Sequence, residues 1–113
     1  MITGTHIIID ISNIQDNEPL KYETSIKEIL DKIVDKYQLN VVGKVIHQFQ
    51  PFGVTGVYIL AESHLSIHTF VEEKTVALDL YTCTKFTDTS DLEDFFKSLF
   101  NNNCDLKYKI IER

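Results

Sequence analysis

The sequence predicts an α+β fold, a two-layer sandwich in which an antiparallel β-sheet carries two helices packed on one face. Six runs are β-branched or alternate apolar with polar residues, and two longer segments repeat apolar residues at three-and-four spacing. The central strands are joined by turns too short for a parallel crossover, so they pair antiparallel. Two amphipathic helices cover only one face of such a sheet.

The first strand is His6 to Ile11, which ends in the polar, turn-forming stretch Ser12 to Pro19. From Ser25, apolar Ile26, Ile29, Leu30, Ile33, Val34 and Tyr37 form one buried helical stripe, and Ser25 with Glu28 supplies a capping box. Val41 to Gln50 breaks at Pro51-Phe52-Gly53 and is followed by Val54 to Ala61, which makes a hairpin. Leu65 to Phe70 and Val76 to Cys83 form a second hairpin around Glu72 to Lys74. Ser90 to Phe100 is the second helix, with Leu92, Phe95, Phe96, Leu99 and Phe100 behind a capping box of Ser90 and Glu93; Asn101 to Asn103 end it. Leu106 to Ile111 is the last strand. The order is β-α-β-β-β-β-α-β, with no linker or repeat, and residues 1–113 are expected to form one domain.

Composition narrows the function. With 43% hydrophobic and 25% charged residues, the chain has the make-up of a folded domain. Its formal charge of −6 repels a phosphate backbone, so no nucleic-acid partner is expected. No apolar run is long enough to span a bilayer, and the start, MITGTHIIIDIS, lacks a basic leader, so no membrane partner and a cytoplasmic setting are expected. Cys83 and Cys104 are too few for a disulfide framework and too far apart for a zinc knuckle, and both read as reduced thiols.

Reactive side chains concentrate in Glu62-Ser63-His64, Ser66 and His68, with Cys83 at the end of the next strand. Singly, a serine or histidine on a sheet is usually just a polar group with a hydrogen-bond partner. His64 and His68 are four apart, a zinc-ligand spacing on a helix, but the local pattern is a strand and no third ligand is close, so no metal is expected. A serine hydrolase needs a strand-to-helix G-x-S-x-G turn, and Ala61-Glu62-Ser63-His64-Leu65 is not one.

Taken together these residues carry a resemblance. The run Phe49-Gln50-Pro51-Phe52-Gly53-Val54-Thr55-Gly56-Val57, the block Glu62-Ser63-His64-Leu65-Ser66-Ile67-His68-Thr69, and Asp79-Leu80-Tyr81-Thr82-Cys83, which ends fifteen residues after His68, resemble the prokaryotic S-adenosylmethionine decarboxylases. The likeness extends over nearly the whole chain, and His6 and the order of elements agree with it.

The resemblance implies self-processing. Ser63 attacks the Glu62 carbonyl, the resulting ester is eliminated, and the chain is cut into residues 1–62 and 63–113, with Ser63 converted to a pyruvoyl group. That covalent carbonyl, able to form a Schiff base with an amino acid, serves as the electron sink for loss of CO₂, with neither metal nor pyridoxal phosphate. His68 assists processing by moving a proton, Thr55 matches a processing hydroxyl that is often serine in the family, and Cys83 donates a proton to the substrate carbon. Phe49 and Phe70 match the rings that sandwich adenine, and Glu72 the carboxylate that holds the ribose.

The resemblance further implies a homodimer of cleaved protomers with sites at the interface. The chain departs from the family after Thr69, where Phe70-Val71-Glu72-Glu73-Lys74-Thr75 stands in place of the usual Trp-Pro-Glu-Tyr-Gly-Tyr. Arginine or ornithine is therefore the alternative substrate, and a regulatory relative that never cuts itself is the alternative of another class. One geometric expectation also follows: Ser63 and His68 are five apart, on opposite faces of a regular strand, so a turn or kink near Ser63 is required to join them.

Overall fold

Alternation along the strands sorts their side chains onto two faces, one apolar and covered, the other open. The computed structural model describes residues 4–83 and 89–113. Its elements are β1 (Thr5–Ser12), a single 3-10 turn (Glu18–Leu20), α1 (Glu23–Tyr37), β2 (Val41–Gln48), β3 (Val54–Leu60), β4 (Ser63–Phe70), β5 (Thr75–Thr82), α2 (Leu92–Ser98) and β6 (Asp105–Glu112). The strands form one six-stranded sheet in the order β2-β3-β4-β5-β1-β6, with every neighbouring pair antiparallel. The expected α+β architecture is therefore the observed one.

On the covered face, Ile7, Ile9 and Ile11 of β1, Tyr58 of β3, Leu65 and Ile67 of β4, and Val76, Leu78 and Leu80 of β5 are buried beneath Ile26, Ile29, Leu30 and Ile33 of α1. Leu92 and Phe96 of α2 join the same core. Gly56 of β3 lets α1 come close, because a Cβ there would meet Leu30 Cδ1 at 3.1 Å. The two helices are joined by Tyr37, which stacks on Phe96 and meets Phe95 edge-on, and by the Lys36–Asp91 ion pair at 2.6 Å. Burial, with the Asp91 charge nearby, pushes the Tyr37 phenol up to about 12.

Neither capping box forms. Helix α1 starts two residues before Ser25, with extended Tyr22 as its N-cap and no side-chain cap bond from its own sequence. The end is satisfied from a distance: Gln48 Oε1 on β2 accepts the Glu23 N–H at 2.7 Å, and its Nε2 donates to Lys21 O. Helix α2 starts at Leu92 behind Asp91, again without a side-chain cap bond, and the Asp91 carboxylate is engaged by Lys36. A third boundary differs as well: β4 begins at Ser63, so Ser63 and His64 are strand residues and not part of the loop before it. Among the described residues, no helix is long and apolar enough to cross a membrane.

Tyr58 is fully buried, and its hydroxyl donates to Asp31 Oδ1 of α1 at 2.7 Å, tying helix to sheet. Burial, together with that carboxylate, pushes its phenol well above the ordinary value. Tyr58→Phe is expected to destabilise the fold by about 1 kcal/mol, because Asp31 is partly hydrated and retains Lys27 and Lys44. Urea unfolding of the uncut Ser63→Ala chain, with and without the second change, measures this.

Candidate active site

The reactive residues fall into groups at the two ends of β4. At the first end, β3 stops at Leu60 and the chain reverses through Ala61 and Glu62 into Ser63. Glu62 lies in the left-handed region at φ 61°, a conformation that costs a residue with a side chain roughly 1–2 kcal/mol. The turn is held by the Ala61 N–H donating to Asn40 O at 3.0 Å. Ser63 Oγ folds back over it and donates to Ala61 O at 3.0 Å. Ser63 and Cys83 open onto one cleft of about 200 Å³, walled by Asn40, Ala61 and Thr82. Cys83 is an exposed free thiol immediately after β5.

At the far end, the β3–β4 ladder sets Thr55 opposite His68, and Thr55 Oγ1 lies 3.2 Å from His68 Nδ1. Phe49, in edge contact with His47, and Phe70 are both about half exposed there. Glu72 follows in the exposed turn after β4. Between the two ends β4 runs without a break from Ser63 to Phe70. The turn expected near Ser63 exists at Ala61–Glu62, but it does not rejoin the two residues: five steps of strand separate Ser63 from His68, roughly 16 Å. His64 and His68 lie about 13 Å apart by the same spacing, too far to share a metal ion.

The structure also shows a cluster that sequence reasoning did not assemble. On the open face, Asp79 Oδ2 accepts from His6 Nε2 and His64 Nε2, each at 2.8 Å, and Ser66 donates to Oδ1. Burial alone would raise the Asp79 carboxyl, but the hydrogen bonds from Ser66, His64 and His6 outweigh it and hold the group below its ordinary value. His6, His64 and Asp79 offer donor atoms within 4.8 Å of one another, a spacing a metal could use. Arg113 Nη1, however, donates to His6 Nδ1 at 3.2 Å, which leaves the proton on Nε2 and makes that atom a donor to Asp79. The cluster is thus complete as a hydrogen-bonded set. Cys104 belongs to neither end; it packs at the margin of the core, and burial pushes its thiol up.

A model of the family described as S-adenosylmethionine decarboxylase matches residues 5–113, and with the α+β fold this makes the chain a decarboxylase. It is 44% identical over 97 residues to an S-adenosylmethionine decarboxylase proenzyme of Archaeoglobus fulgidus, covering 86% of this chain and 83% of that one. It is 40% identical over 110 residues to the proenzyme of that name from Symbiobacterium thermophilum, covering 97% and 82%. The crystal structure of the adenosylmethionine decarboxylase from Aquifex aeolicus superimposes with a TM-score of 0.86 at 30% identity, covering 99% of this chain and 91% of that one. The chain belongs to the S-adenosylmethionine decarboxylase family.

Proposed function

We propose that the chain is a proenzyme that cuts itself between Glu62 and Ser63 and then decarboxylates S-adenosylmethionine, giving an aminopropyl donor for spermidine synthesis. The observation that carries this reading is the placement of Ser63: it follows a strained left-handed Glu62 in a tight turn and shares a cleft with the free thiol of Cys83. Ser63 Oγ adds to the Glu62 carbonyl carbon and the C–N bond breaks, leaving an ester. Loss of the Ser63 α-proton breaks the Cβ–Oγ bond and frees the Glu62 carboxylate. Water then replaces the nitrogen of residue 63, which leaves as ammonia, and a pyruvoyl group remains.

The residues present fit such a group, because Ser63 is partly exposed on a cleft with a proton donor beside it. When formed, the carbonyl supplies an electron sink for the departing CO₂. The chain's own residues do the rest. Cys83 Sγ–H is suited to deliver the proton that replaces CO₂ on the substrate carbon, since it is an exposed free thiol open to the cleft that Ser63 lines. A free thiol in turn suits a reducing, cytoplasmic setting. The His68–Thr55 pair is suited to move the processing proton, and Phe49, Phe70 and Glu72 to hold the nucleoside.

These two sets reach one another only if a second copy supplies one of them. Ser63 and Cys83 sit at one end of the sheet and His68, Thr55, Phe49 and Phe70 at the other, and the open face between them exposes Val45 and Ile59. A two-fold homodimer that sets the Ser63 end of each chain against the His68 end of its partner makes two complete sites.

Side-by-side assays with S-adenosylmethionine, arginine and ornithine test the substrate, with release of CO₂ expected from the first alone. Turnover of arginine or ornithine instead would replace the substrate assignment, and an uncut, inert chain would favour the regulatory alternative. Cys83→Ala is expected to be cut yet to lose about 10²–10⁴-fold in decarboxylation, the usual contribution of a general acid; failure to cut would contradict this division of roles.

A further inference from the structure

Nothing in the proposed reaction uses the Asp79 cluster, yet its place in the sheet is particular. Asp79 on β5 accepts from His6 of β1 and from His64 and Ser66 of β4, so one carboxylate holds both neighbouring strands. β4 is the strand that starts at Ser63. The β3–β4 ladder reaches Ser63, opposite Leu60, while the β4–β5 ladder starts one residue later, at His64 opposite Tyr81. In the intact chain the Ala61–Glu62 turn also restrains Ser63. Once the bond before it is cut, residue 63 is a chain end one step beyond the last β4–β5 pair, and such ends fray unless tied down. Cys83 lies four residues beyond Asp79, just past the end of β5.

We propose that Asp79 is a positioning residue which, by holding His64 and Ser66, pins the start of the cleaved chain to β5 and keeps residue 63 beside Cys83. This rests on the self-cleavage reading and deepens it. A carboxylate fits the task because it accepts on both oxygens at once, here from two strands, whereas an amide keeps only one acceptor oxygen. The need is geometric: a reacting group displaced by about 1 Å costs on the order of 10²-fold in rate.

The test compares wild type, Asp79→Ala, His64→Ala and the double variant, with cleavage read from fragment masses and decarboxylation as kcat and KM for S-adenosylmethionine. All are expected to be cut. Asp79→Ala is expected to lose roughly 10- to 100-fold in kcat with little change in KM, because the group touches no substrate. The double variant should be no worse than Asp79→Ala, since Asp79→Ala already removes the His64 contact, and Asp79→Asn should recover part of the loss through its remaining acceptor. Wild-type kcat in Asp79→Ala, or losses that multiply in the double variant, would overturn the proposal. Should Asp79→Ala not fold, Ser66→Ala removes one of the three bonds to the same carboxylate and must show a smaller loss in kcat alone; no loss there would overturn it too. A cut and active wild type beside an unaffected Asp79→Ala refutes only this role, whereas an uncut wild type refutes the self-cleavage on which it depends.

Discussion

Ser63→Ala is expected to remain one uncut chain of 113 residues and to show no detectable decarboxylation. The hydroxyl is the only group in the turn placed to attack its own preceding carbonyl, and without attack there is neither ester nor ketone. The fold should be retained, because Ser63 is a partly exposed strand residue whose Oγ, among the described residues, bonds only to Ala61 O two residues back. Intact mass and a CO₂-release assay on the purified variant read both effects. A cut chain would show that another residue is the nucleophile, and an uncut chain with activity would show that a carbonyl at residue 63 is not required.

The second large effect concerns two copies. If His68 acts on Ser63 of the partner, a Ser63→Ala chain and a His68→Ala chain should each stay uncut alone, but the Ser63→Ala chain should restore cutting of the His68→Ala chain when the two are produced together. In a mixed dimer one site holds the intact Ser63 of one chain and the intact His68 of the other. About half of the His68→Ala chains should then be cut, the share that random pairing places in mixed dimers. Fragment masses of the co-produced chains, distinguished by a tag, give the answer. No cutting in the mixture, with wild type fully cut, would place both residues in one chain and require β4 to bend by the roughly 16 Å that now separates them.

Periodicity made most of the fold legible. The stripe from Ile26 to Ile33 and the alternation around Ile7, Leu65 and Leu78 identify buried faces, and burial is what selects register and layer. The helix starts were not legible, because α1 is capped by Gln48, a residue on a strand that only the folded chain brings near, and a local Ser-x-x-Glu pattern carries no knowledge of that competitor. The chemistry divides in the same way. Glu62, Ser63, His68 and Cys83 stand in recognisable blocks, but their separation into two ends of the sheet follows from β4 running straight through Phe70. The Asp79 cluster was hidden for a related reason. His6 and Asp79 are 73 residues apart, and an aspartate between two leucines shows only that it points away from the core, without showing which histidines it meets.

Self-cleavage before residue 63 is decided by the mass of freshly purified wild-type protein under denaturing conditions. It predicts two species, residues 1–62 with an ordinary carboxyl end and residues 63–113 lighter by one ammonia than a peptide starting with serine. A single 113-residue chain that nonetheless releases CO₂ from S-adenosylmethionine would contradict it.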